Sequence, residues 1–183
     1  GRNEIIQNHN NFRGPFGIGI IYHKDIPVEW DAQSNSNIKW KITLPKKGNN
    51  SPVIWGNRLF ISGAEEGDLT IYCYDCTSGK LLWQKDVNNI PGSPSIIPKV
   101  TEDTGLAAPT LTTDGQRVYG IFATGDIICF DMEGNRIWAR NLGVPENHYG
   151  HSSSLLCWQN KIFVQYDTNK GGKLIALDIY TRR

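Results

Sequence analysis

The chain has 183 residues, and its 19 Lys+Arg nearly balance 18 Asp+Glu, so a net charge of +1 argues against nucleic acid or an anionic membrane as the main partner. No stretch approaches the ~20 apolar residues of a membrane span, and the opening GRNEIIQNHNNF lacks the basic-then-apolar layout of a signal peptide. Four cysteines, Cys73, Cys76, Cys129 and Cys157, are too few and too scattered for a disulfide scaffold.

Residues 1–36 read as an extended N-terminal arm. Its leading Gly followed by polar residues fits either a tag remnant or a mature start left after leader removal, the latter placing the protein outside the cytoplasm. Gly14, Gly17 and Gly19 in GPFGIG mimic a nucleotide loop, but the preceding strand, the following helix and the G-x-G-x-x-G order are all missing, so they read as turns. Residues 37–45, NIKWKITLP around Trp40, match only the outer strand of a repeating unit, so the chain is expected to enter mid-repeat.

The unit follows three times, the last copy without its outer strand. It opens on a small residue or Pro before an apolar strand, passes a tight turn into a second strand, and ends on Asp, a Gly turn and Trp. The first copy occupies 46–87 (SPVIWGNRLFISG, then LTIYCYDCTSGKLLWQKDV). A Pro- and Gly-rich insertion loop, 88–105, follows. The second copy is 106–143 (APTLTTDGQRVYGIFATG, then DIICFDMEGNRIWARNL), and 144–183 is a partial third (SSLLCWQNKIFVQYD, then KLIALDIYTRR). Trp40 to Trp83, and Tyr119 to Phe163, are separated by the roughly 40–50 residues of a propeller blade.

Alternation and β-branched or aromatic content predict strands centred near residues 53, 60, 72 and 82, then 110, 119, 128 and 138, then 155, 163 and 175, with almost no helix. Turn pairs such as Gly56-Asn57 and Asp114-Gly115 punctuate them. Four short antiparallel strands per unit make a blade, and blades bury a continuous core only against one another. In the turn before each outer strand, Asp75 and Asp131 are expected to accept N–H bonds, and Gly79 and Gly134 to take the tight position. Trp83 and Trp138 then have a fixed place to pack. Asp178 starts a third such turn, with Arg182 where Gly is expected. Cys73-x-x-Cys76 is open to a redox or half-zinc reading, but it sits on a strand running into a turn with no second ligand pair, which favours buried thiols.

The segments CYDCTSGKLLW and CFDMEGNRIW resemble the tryptophan-docking motif of quinoprotein propellers, A-x-D-x-x-T-G-K-x-x-W, and ALDIYTRR resembles its start. NFRGPFGIGI, IPVEWD, NIKWKITLP and HYGHSSSLL are similar to bacterial quinoprotein-like repeat proteins. The resemblance implies an all-β fold, a β-propeller of four-stranded antiparallel blades like quinoprotein alcohol dehydrogenase, here an incomplete ring whose open blade edges favour self-association. Dehydrogenases of that group use pyrroloquinoline quinone above a vicinal Cys-Cys pair and ligate calcium through carboxylates and amides. Here no cysteines are adjacent and no such set transfers, so no catalytic residue, metal or cofactor is assigned. The implied function is a non-catalytic module that binds or scaffolds a protein or polymeric ligand, periplasmic or secreted. A quinone-dependent oxidoreductase, or a purely structural module of a larger protein, is the rival reading.

The ligand-binding surface is expected on the loops leading into each first strand: Lys47–Ser51, Thr104–Ala108 and Asn147–Ser153. Their polar residues Asn49, Asn50, Thr104, His148, Tyr149 and His151 are the candidates. His148-x-x-His151 has the spacing of a metal pair with only Glu146 as a third ligand nearby, and Ser152–Ser154 lack the elbow of a hydrolase nucleophile.

Overall fold

A computed structural model describes residues 2–180. Its strands form three antiparallel sheets that succeed one another along the chain. Blade I contains β1 (Val53–Trp55), β2 (Arg58–Glu65), β3 (Asp68–Asp75) and β4 (Leu81–Asp86). Blade II contains β5 (Thr112–Thr113), β6 (Arg117–Ile121), β7 (Asp126–Asp131) and β8 (Arg136–Asn141). Blade III contains β9 (Leu156–Trp158), β10 (Lys161–Thr168) and β11 (Gly171–Asp178), with no fourth strand among the described residues. This is a partial propeller, as the repeat implies.

Two differences from expectation have local causes. Thr110 donates its N–H to Ser154 Oγ and accepts Leu155 N–H at its C=O, so the first strand of blade II begins only at Thr112, two residues past its expected centre. Residues 37–45 form no strand, because an outer strand must pair with a third strand of its own sheet and no described strand lies beside them. Trp40 nevertheless docks. Its Nε1 donates to the Cys76 carbonyl at 2.8 Å, and a Cβ on Gly79 would come within 2.7 Å of its ring.

The middle blade shows why both faces of a propeller strand are apolar. In β7, Ile128 and Phe130 join the core shared with Phe60, Ile71 and Cys73 of blade I. Ile127 and Cys129 point the other way, into the core shared with Ile162, Val164 and Leu177 of blade III. Period-two alternation thus serves two interfaces at once. Between blades I and II, Trp83 lies over Gly134, tilts against Phe60 and Phe130 at 5.8 and 5.9 Å, and donates to the Met132 carbonyl at 3.0 Å. Asp75 Oδ1 accepts Ser78 N–H at 2.7 Å, and Asp131 Oδ1 accepts Glu133 and Asn135 N–H at 3.0 and 2.8 Å. These bonds close the turns and hold both carboxyls below the usual range.

Trp138 is only 4 % exposed, packs on Tyr119 at 6.2 Å, and leaves Nε1 without a partner among the described residues. The turn it would cap begins at Asp178, whose Oδ1 accepts Tyr180 N–H at 2.9 Å; Arg182 lies outside the described residues.

The arm is not uniformly extended. It holds a one-turn helix, Arg2–Ile6, and a 3-10 turn at Pro15–Gly17 with Gly14, Gly17 and Gly19 all at positive φ. Between them it crosses the inner edges of two blades. His9 exchanges N–H and C=O bonds with Ile54 at 3.1 and 2.7 Å, Gly56 N–H donates to Asn8 Oδ1 at 2.7 Å, and Thr113 N–H donates to the Asn10 carbonyl at 3.0 Å.

Candidate functional site

All three loops lead into an inner strand, the second and third from the outer strand of the preceding blade, so they lie at one end of the blades. Side-chain amides tie them together. Asn49 Nδ2 donates to the carbonyls of Asp103 and Thr104 at 2.7 and 3.1 Å, and Asn49 N–H donates to the Ala107 carbonyl at 3.1 Å. The Asn50 amide donates to the Ser62 and Ala107 carbonyls at 2.9 and 2.8 Å and accepts Ser62 N–H at 3.3 Å. Thr101 N–H donates to the His148 carbonyl at 3.0 Å, which links the insertion loop to the third crossover.

The six candidate residues therefore fall into three groups. Asn49 and Thr104 line a cleft of about 820 Å³ together with Lys47, Glu66 and Glu102, a wall of mixed charge. His148 and Tyr149 stand exposed beside it, Tyr149 at 54 %. Asn50 and His151 are internal. Asn50 spends its amide on backbone carbonyls, and His151 is 3 % exposed, with Nε2 bonded to the Gly143 carbonyl at 3.0 Å and its ring edge-on to Tyr166 at 5.2 Å. The His-x-x-His spacing thus splits one imidazole outward and one inward. Among the described residues no three His, Cys, Asp or Glu side chains gather as metal ligands.

Sequence reasoning passed over a set of hydroxyls. Ser51 N–H donates to Thr110 Oγ1 at 3.0 Å, and Thr110 N–H donates to Ser154 Oγ at 3.1 Å, stitching the starts of successive inner strands across the axis. The signal was the small residue beside each strand start. Asp126, also missed, is buried and accepts from Ser93, Thr124 and Asn141, pinning the insertion loop to blade II.

The residues present do not fit a pyrroloquinoline quinone and calcium site. Arm residues His9 and Asn10 already hold the inner edges of β1 and β5, and burial pushes the Cys73 and Cys157 thiols up to about 12. That shift disfavours the thiolate at both positions.

Burial lowers the His151 pKa, outweighing its bond to Gly143, and lowers that of His9 as well. The fold therefore prefers the neutral rings. As pH falls below about 6.5 the unfolded chain binds protons that the folded chain refuses, so stability declines, and the decline ends only below the folded pKa values. Urea midpoints measured from pH 7.5 to 5 are expected to fall. A His151→Gln variant, which keeps a donor for Gly143, is expected to show a shallower fall; an identical slope would remove His151 from this account.

The family model described as outer membrane protein assembly factor BamB matches residues 25–181. No curated protein matches the chain significantly by sequence. Among solved structures, BamB from Moraxella catarrhalis is similar at 20% identity and TM-score 0.57, over 84% of this chain and 44% of its own. A europium-containing methanol dehydrogenase aligns at 16% identity and TM-score 0.55, covering 75% of this chain and 24% of its own. Quinohemoprotein alcohol dehydrogenase from Comamonas testosteroni aligns at 15% and 0.56, covering 74% and 20%. The chain spans less than half the length of each, and at these identities the likeness is one of fold. Matched over most of its length by that family model, and built of the same blades, the chain belongs to the BamB-like family of quinoprotein-type propeller repeats.

Proposed function

We propose that this chain is a non-catalytic propeller module that holds a protein or polymeric ligand on its crossover face, outside the cytoplasm and most simply in the periplasm. The observation that carries the reading is the fusion of three separate crossovers into one polar surface by Asn49, Asn50 and the Thr101–His148 bond. Such a surface offers donors and acceptors in fixed places on a rigid scaffold, which is how loop-borne sites achieve specificity. The family's description as an outer membrane assembly factor supports the compartment and a protein partner.

The test is site-specific photo-crosslinking at Tyr149 in the native cell envelope, with Leu174 on the far edge as control. A partner captured from position 149 alone should then lose at least about tenfold in affinity for an Asn49→Ala, His148→Ala, Tyr149→Ala variant. His148 and Tyr149 are exposed, and Asn49 gives up two exposed hydrogen bonds to the insertion loop, so the loss of stability should stay within about 1–3 kcal/mol. Undiminished binding by that variant would move the functional face elsewhere. His151 is left intact in this design because its burial would confound the result.

A further inference from the structure

The other end of the inner strands carries a second constellation. Trp55, Asp114 and Trp158 occupy the same place in the three blades, at the close of each inner strand. Trp55 lies on the Gly115 turn, where a Cβ would come within 2.3 Å of its ring. Trp158 is 54 % exposed. With Phe16, Arg2, Gln159 and Asn10, the two tryptophans line a cleft of about 680 Å³. Neither indole N–H donates to a described residue. Asn10 is 5 % exposed, yet its Oδ1 accepts no hydrogen bond from a described residue.

The backbone beside this cleft is also open. A two-residue turn makes Trp158 and Lys161 the hydrogen-bonded pair of the β9–β10 hairpin, so the N–H and C=O of Cys157 turn to the inner edge. Ile54 and Thr113 hold the same position in β1 and β5, where His9 of the arm bridges both groups of Ile54 and the Asn10 carbonyl accepts the Thr113 N–H. The arm shows what this track binds, an extended peptide backbone, and it stops one blade short. Cys157 continues the track, and no described residue takes its inner-edge groups.

We propose that the inner edge of β9 receives an extended peptide from a partner protein by strand addition, with an aromatic side chain of that peptide lodged between Trp55 and Trp158. Main-chain bonds to Cys157 would supply affinity and the cleft would supply selection. Aromatic rings suit it because they stack on indoles, and the orphan Asn10 oxygen and the two indole N–H groups suit a ligand carrying both donors and acceptors. This site lies at the opposite end of the blades from the crossover face and stands independently of it.

The probe is a dye-labelled heptapeptide, Ac-Thr-Val-Thr-Trp-Thr-Val-Thr-NH2, followed by anisotropy, with hydrogen exchange at the Cys157 amide read in parallel. Binding is expected to weaken at least about tenfold when the central Trp is replaced by Ala, when the peptide backbone is N-methylated, or when the protein carries Trp158→Ala. Exchange at Cys157 should slow. The Asn49, His148, Tyr149 triple variant should bind the probe unchanged, which separates this site from the crossover face. The N-methylated peptide leaves the protein intact and keeps the test clear of folding effects. Absence of saturable binding into the millimolar range, or binding indifferent to both N-methylation and Trp158→Ala, overturns the proposal. So would Trp158-dependent binding of maltohexaose without binding of the peptide, which would assign the cleft to saccharide.

Discussion

Replacing Trp83 or Trp138 by Ala is expected to cost about 3–5 kcal/mol each, the range for deleting a large packed aromatic. For a chain of this size that corresponds to a fall of roughly 6–20 °C in Tm. Each ring fills the seam between two blades, and nothing beside it can collapse into the space without moving a whole sheet. The two positions are not equivalent, and Phe substitutions separate them. Trp83→Phe gives up the bond to Met132 as well as volume, a further ~1 kcal/mol, whereas Trp138→Phe has no such bond to lose. Thermal melts in which both alanine variants match the parent would show that these rings do not join the blades.

Gly125→Ala is the second large effect. Gly125 sits at φ 83 in the turn between β6 and β7, and an added Cβ would lie 2.3 Å from the Gly143 carbonyl oxygen. That obstacle is backbone and cannot swing aside. The left-handed conformation costs about 1–2 kcal/mol and overpacking about 1–3, so the sum is about 2–5 kcal/mol. Gly56→Ala is the internal control: its φ is 58, but nothing lies within 4 Å of the added atom, so only the first cost applies. Equal losses for the two variants in chemical denaturation would remove the steric part of this explanation.

The blades were legible in sequence because each depends on local signals: alternation, a two-residue turn, and an Asp and Gly ahead of Trp. The contacts that defeat sequence reading are those whose partners share no local pattern. Residues 37–45 have the composition of an outer strand, yet strand formation is decided by a neighbour that the segment itself cannot specify. His151 has the polarity of a surface residue, and only the Gly143 carbonyl and the Tyr166 ring, from two other stretches of chain, explain its burial. That Asn49 and Thr104 meet was legible because topology alone brings the crossovers together. The pairing of His9 and Asn10 with inner strands was not, since NHNN carries no strand signature and borrows its geometry from the edges it meets.

The arm's attachment also orders events during synthesis. Asn10 leaves the ribosome long before Thr112 and Thr113, its hydrogen-bonding partners across a separation of 102 residues. At 5–20 residues per second that interval is roughly 5–20 s, far longer than a hairpin needs to form. Blade I can therefore assemble while the arm is held only by Ile54, and the segment bearing Ile18, Ile20, Ile21 and Tyr22 waits beside a half-built track. Until β5 forms, Asn10 has no blade II to bond, so the arm reaches its final course only after the second blade is made.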